Sequence, residues 1–89
     1  MLKKEVEIVN KLGLHARAAA LLVQEATKFH AEIFIEYKNQ NVNAKSILGV
    51  MMLAVSQGQV VTLKTEGDDE EEAMEAVENL IKDKFGEGE

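Results

Sequence analysis

His15 is the residue best placed to do chemistry, because of its setting: Gly13-Leu14-His15-Ala16-Arg17-Ala18-Ala19-Ala20-Leu21-Leu22. A glycine closes one segment, the histidine follows, and an alanine-rich helical run begins at once. This spacing predicts an imidazole at the start of a helix. Helix N-termini present backbone N–H groups and a partial positive charge, so they bind phosphate well. Neutral imidazole is a nucleophile at physiological pH. Arg17 offers a planar fork to phosphate oxygens, and the N–H groups of Ala16 and Arg17 are further donors. The chemistry suggested is acceptance of a phosphoryl group by His15, whose charge the same groups would stabilise. The alternative is a histidine that merely fills a cap site or packs on a loop. His30 lacks such a setting: it falls between a helix and a strand, beside Phe29, and reads as a surface residue.

A second segment, Asn43-Ala44-Lys45-Ser46-Ile47-Leu48-Gly49-Val50-Met51-Met52, holds the other candidates. Ser46 reads as the N-cap of a short helix. Ile47, Leu48, Met51 and Met52 are more large apolar residues than one core face needs. The default is that some of them are core. Flexible methionines also suit a surface that must fit several partners. The run Asp68-Asp69-Glu70-Glu71-Glu72 does not read as a metal site, because consecutive helical residues point in different directions. Capping and solvation account for it better.

The elements that position these residues follow from periodicity. Glu5 to Val9 alternates as a half-buried strand. Asn10 to Gly13 is a loop. Ala16 to about Lys28 is a helix with Ala19, Leu22, Val23 and Ala26 on one face. Ala31 to Tyr37 is a strand with Ile33, Ile35 and Tyr37 toward the core. Lys38-Asn39-Gln40 turns into a short strand, Asn41 to Asn43. Ile47 to about Val55 is the second helix, and Gln59 to Thr65 a strand with Val61, Leu63 and Thr65 on one face. Asp68 or Asp69 caps a last helix whose stripe is Met74, Val77, Leu80 and Ile81. Gly86 and Gly88 mark a frayed tail. The order β-α-β-β-α-β-α is that of a two-layer α+β domain, one sheet covered on one face by helices.

At 89 residues, the chain is expected to form a single domain, 1–89. It has no cysteine, which excludes disulfide and thiolate chemistry and suits a reducing compartment. No signal peptide and no membrane-spanning run is expected, so the reading is a soluble cytoplasmic protein. The net charge of −6 is uneven: residues 1–65 balance at +3 and residues 66–89 at −9. The region of His15 carries Lys11, Arg17 and, further along the chain, Lys45, which suits an acidic protein partner. No basic stripe with interleaved aromatics suggests nucleic acid.

Together, the two segments above and Ala54-Val55-Ser56-Gln57-Gly58 resemble the histidine-containing phosphocarrier (HPr) family of the phosphoenolpyruvate-dependent phosphotransferase system. The resemblance covers nearly the whole chain. It implies an open-faced β-sandwich, with a four-stranded antiparallel sheet and three helices on one face. It also implies a monomeric phosphoryl carrier for sugar transport, not an independent catalyst, needing no cofactor and no metal. The carrier takes its group from enzyme I at Nδ1 of His15 and passes it to an enzyme IIA component. By the same resemblance Arg17 assists, and Ile47, Leu48 and Met51, joined by Ala20, form a docking patch. Ser46 matches a serine that many relatives have phosphorylated by an HPr kinase/phosphorylase. The alternative is therefore a regulatory protein acting through Ser46 and a transcriptional regulator. Two features depart from or divide the pattern. Most members have proline where this chain has Ala18. Val6 to Gly13 resembles the nitrogen-related branch, whereas the Ser46 segment resembles the sugar-transport branch.

Overall fold

Ile33 and Ile35 are alternate residues of one β-branched run, both buried, and they mark the centre of a sheet. The computed structural model describes residues 1–86. The run containing these isoleucines is β2 (Glu32–Tyr37), between β4 (Val60–Glu66) and the short β3 (Gln40–Asn43). β1 (Leu2–Glu7) pairs with the other side of β4, giving the order β1-β4-β2-β3, with every pair antiparallel. The register sets Ile35 opposite Leu63, Ile33 opposite Thr65 and Val6 opposite Val61. These six residues are buried on the side covered by helices. α1 (Ala16–Ala26) contributes Ala18, Ala19, Leu22 and Ala26 to that core. α2 (Ile47–Met52) contributes Val50, and α3 (Glu70–Lys82) contributes Ala73, Met74, Val77 and Ile81. The opposite sheet face mixes polar residues with Phe34 and Val60, and Lys64 bridges to Glu36 across the strands there at 2.7 Å. This is the expected α+β open-faced sandwich.

Several boundaries differ from expectation for identifiable reasons. The first strand starts at Leu2 and ends at Glu7 rather than running from Glu5 to Val9. Lys4 shares its face with Val6, which breaks the apolar alternation, but its ammonium reaches Glu78 of α3 at 2.9 Å. Ile8 continues beyond the strand through bonds from its N–H to the Gln59 carbonyl and from the Gly58 N–H to its own carbonyl. α1 stops at Ala26, two residues early, and α2 stops at Met52 rather than Val55. The second stop has a local cause. Ala54 adopts a left-handed φ of +53° while its N–H bonds to the Met51 carbonyl, closing the helix. Tyr37, expected in the core, is half-buried at the sheet's end and donates its hydroxyl hydrogen to Gln59 Oε1.

The C-terminal segment also corrects the sequence reading. Lys84, Phe85 and Gly86 form a tight turn with positive φ throughout, and Phe85 within it enters the core at 4% exposure. The chain therefore does not fray at Gly86, because one aromatic anchors it. Gly88 lies outside the described residues. Asp69 occupies the N-cap position of α3, yet its side chain makes no cap bond. Its carboxylate instead accepts the N–H groups of His30 and Ala31, at 2.9 and 2.7 Å. Gly67 explains the approach: a Cβ there would lie 2.8 Å from the Ala31 Cα. The His30 N–H bond is the largest cause holding the Asp69 carboxyl below its ordinary value. Hydrogen bonds from Lys4 and then Lys82 lower Glu78, and the hydrogen bond from Lys64 lowers Glu36.

A carboxyl whose pKa is depressed on folding stabilises the fold fully above its unfolded pKa, and that contribution is lost as pH falls through the folded pKa. Stability is therefore expected to hold near neutrality and fall progressively below about pH 4. Urea unfolding across that range should show a shallower acid slope in Glu78→Gln and in Asp69→Ala. An unchanged slope in both would contradict the assignment.

Candidate functional site

The site begins with a loop held against another loop. The Gly13 N–H donates to the Asn10 carbonyl, and the amide of the fully buried Asn10 donates to the Gly13 carbonyl at 2.8 Å. Gly13 has φ +66°, and a Cβ there would lie 2.3 Å from the Val55 carbonyl oxygen. That oxygen accepts the Leu14 N–H at 3.0 Å, while the Leu14 side chain is buried. The segment before α1 is thereby fastened to the segment after α2. His15 then takes the N-cap position in extended backbone, φ −73° and ψ 177°. Its carbonyl accepts the Ala19 N–H at 2.8 Å, which starts the helix. Its imidazole is half-exposed and makes no cap hydrogen bond. The N–H groups of Ala16, Arg17 and Ala18 precede the first α-helical bond.

Arg17 and Ala16 are exposed in that first turn, and Arg17 forms no ion pair among the described residues. Ala18 is fully buried and is the third helical residue, a position where proline would sacrifice no α-helical bond. Ala20 is half-buried. The structure thus brings His15, Arg17 and the first-turn N–H groups together.

Lys45 does not join them. Its ammonium donates to the Phe29 carbonyl at 2.8 Å, beyond the C-terminal end of α1. At 1.5 Å per residue, the helix alone separates that end from its N-terminus by about 16 Å. The sequence grouped Lys45 with His15 by charge alone.

α2 has a sharp division. Ser46 is exposed, and its Oγ accepts the Gly49 N–H at 3.1 Å, as an N-cap should. Val50 and, just past the helix, Leu53 point inward. Ile47, Leu48, Met51 and Met52 are all exposed, at 46, 69, 39 and 69%. The expectation that some of these four serve the core is overturned: on so short a helix, Val50 and Leu53 fill the inward positions. Sequence reading also missed Leu12, which is 65% exposed one residue before Gly13. A leucine among the turn residues Asn10, Lys11 and Gly13 was the available signal. α1 packs against α2, and the Leu14 N–H bond to the Val55 carbonyl brings the segment after α2 to the His15 loop, so the C-terminal end of the apolar surface lies on that side. Among the described residues, no three His, Asp or Glu side chains form a group able to hold a metal ion, and no helix is long and apolar enough to cross a membrane.

Residues 2–83 match the PTS-HPr family, described as the PTS HPr component phosphorylation site. The chain belongs to this family. Its phosphocarrier role in the phosphotransferase system follows at that general level, together with work alongside that system's partner proteins. Phosphocarrier protein HPr of Neisseria meningitidis serogroup A is 52% identical over 89 residues, covering 100% of both chains. HPr-like protein Crh of Halalkalibacterium halodurans is 58% identical over 77 residues, 86% of this chain and 92% of Crh. The crystal structure of HPr-C-His from Thermoanaerobacter tengcongensis superposes with TM-score 0.94 at 60% identity, covering 98% of each chain. A second structure from that organism is described as an HPr dimer, with TM-score 0.79 at 60% identity over 98% of this chain and 100% of that one. The monomer expected from sequence does not fit that dimeric relative well.

The left-handed Ala54 lies beside this site. Alanine in this region costs about 1–2 kcal/mol relative to helical geometry, whereas glycine tolerates it. Ala54→Gly is therefore expected to raise stability by about 1 kcal/mol, read as a higher urea midpoint at constant slope. A lower midpoint would contradict the strained geometry.

Proposed function

We propose that this chain carries a phosphoryl group on Nδ1 of His15, taking it from phosphorylated enzyme I and passing it to an enzyme IIA component. The observation that carries the reading is the half-exposed imidazole at the α1 N-terminus, which does not cap the helix, with Arg17 exposed in the same first turn. In the accepting step the Nδ1 lone pair attacks phosphorus, and the bond from phosphorus to the donor breaks on the opposite side. Such transfer needs in-line positioning and charge stabilisation more than acid–base machinery. The guanidinium of Arg17 and the N–H groups of Ala16 and Arg17 meet the phosphoryl oxygens. The N–P bond leaves the group transferable, so a small open site suffices and the partner completes it. On this reading the chain is not a catalyst by itself and works in the cytoplasm.

Ala20, Ile47, Leu48 and Met51 provide the docking surface, with Leu12 and Met52 added by their exposure. Purified phosphorylated protein is the test of the second half-reaction. Incubated with an enzyme IIA, it should lose its phosphoryl group as the IIA gains one. Hydrolysis to inorganic phosphate without transfer would contradict the proposal.

A regulatory role through Ser46 is the second reading, favoured by the exposed N-cap hydroxyl and the Crh relative. Phosphate there suits the helix start and adds negative charge beside the apolar surface. Ser46→Ala should abolish such regulation, whereas His15→Ala should leave it intact. Sedimentation velocity distinguishes a monomer from the dimer named for the Thermoanaerobacter relative.

A further inference from the structure

The chain has no cysteine, so its thioethers are its only reduced sulfur. Their exposure is unequal. Met52 and Met51 are adjacent on the outer side of α2 at 69 and 39% exposed, Met1 is 60% exposed away from α2 with its ammonium 3.7 Å from Glu70 of α3, and Met74 is packed inside α3 at 6%. Beside Met51 and Met52 stand Ile47 and Leu48, so both of these sulfurs lie in an apolar surface rather than a charged one. We propose that Met51 and Met52 are a reversible oxidation site, and that their sulfoxides take the α2 surface out of partner docking. This inference rests on the docking role given to α2 above.

The oxidant is a peroxide such as hydrogen peroxide. A thioether lone pair attacks one peroxide oxygen and the O–O bond breaks. The sulfur gains that oxygen and loses two electrons, and the other oxygen leaves as water. Each sulfoxide replaces a pliable apolar contact by a strong dipole, which an apolar partner surface must bury without a hydrogen bond. The core is untouched, because the inward residues of this segment are Val50 and Leu53. Reversal requires a thiol-dependent sulfoxide reductase, and because each sulfoxide has two epimers, both stereochemical classes of that enzyme.

The experiment treats the full chain with graded hydrogen peroxide, quenches it, and maps oxygen addition by peptide mass. Enzyme I-dependent phosphorylation is then measured against enzyme I concentration. Met51, Met52 and the exposed Met1, which the double variant retains, should gain oxygen well before Met74, with an unchanged thermal midpoint. The half-saturating enzyme I concentration should rise about tenfold or more, with the saturated rate held. Sulfoxide reductases should restore it. A Met51→Leu/Met52→Leu variant, compared only with its own untreated rate, should be insensitive to peroxide.

Oxidation of Met74 first, or peroxide sensitivity that persists in the double variant, overturns the inference. So does full oxidation of Met51 and Met52 with unmoved kinetics in an otherwise active protein, and here the carrier reading survives. Untreated protein that accepts no phosphoryl group overturns the carrier reading, and this inference with it.

Discussion

His15→Ala is expected to leave a folded protein that accepts no phosphoryl group from enzyme I. Removing a nucleophile leaves no covalent intermediate to form, so the rate should fall by at least about 10⁴-fold, to the floor of the assay. The fold should survive because the imidazole is half-exposed and makes no cap bond, so losing it removes neither core volume nor a helix-capping partner. A stability change within about 1 kcal/mol is expected. Arg17→Ala separates the roles further. It retains the nucleophile but loses a charged donor, so acceptance should slow by about 10²-fold rather than vanish. Equal losses in the two variants would contradict this division.

Gly13→Ala is the second large effect, and it acts through packing. The added methyl would sit 2.3 Å from the Val55 carbonyl oxygen and 3.0 Å from the Ser56 Cα, at a φ of +66°. Neither neighbour is the end of a flexible side chain, so backbone must move. The left-handed conformation contributes about 1–2 kcal/mol, and weakening the Leu14 N–H to Val55 carbonyl bond contributes about 1 kcal/mol more. A total loss of about 2–4 kcal/mol is expected by urea unfolding. Gly58→Ala is the control. Gly58 also has positive φ, +89°, but a Cβ there meets nothing within 4 Å, so only the conformational part remains. Similar losses in the two variants would contradict a close approach at Gly13. Because the same contact fastens the segment leading to His15, phosphoryl acceptance should also slow in Gly13→Ala.

Much of this arrangement was legible from residue order. The β-branched and aromatic run around Ile33 and Ile35, and the alternation of Val61 and Leu63 with Thr62 and Lys64, gave two strands and their inward faces, since period two has one solution when one side is buried. The Gly13 to Arg17 spacing put an imidazole at a helix start. What was not legible came from contacts distant in sequence. Lys4 sits on a core-facing register position and is satisfied by Glu78, 74 residues away, so the first strand looked shorter than it is. Asp69 looked like a cap because it precedes a helix, yet the close approach of Gly67 to Ala31 offers it two backbone donors instead. Lys45 was grouped with His15 because charge carries no address, whereas its partner, the Phe29 carbonyl, lies at the far end of α1. The four large apolar residues of α2 were read partly as core, because composition alone does not say that Val50 and Leu53 already fill the inward side.

Intact-mass analysis shows whether His15 accepts the phosphoryl group. Wild type and His15→Ala are each incubated with phosphoenolpyruvate, magnesium and an active enzyme I. The wild type should carry one phosphoryl group, lost on brief acid treatment as an N–P bond requires, and the variant none. An acid-stable phosphate on the wild type, equal labelling of the variant, or no labelling by an enzyme I proven active on its own carrier would contradict acceptance by His15.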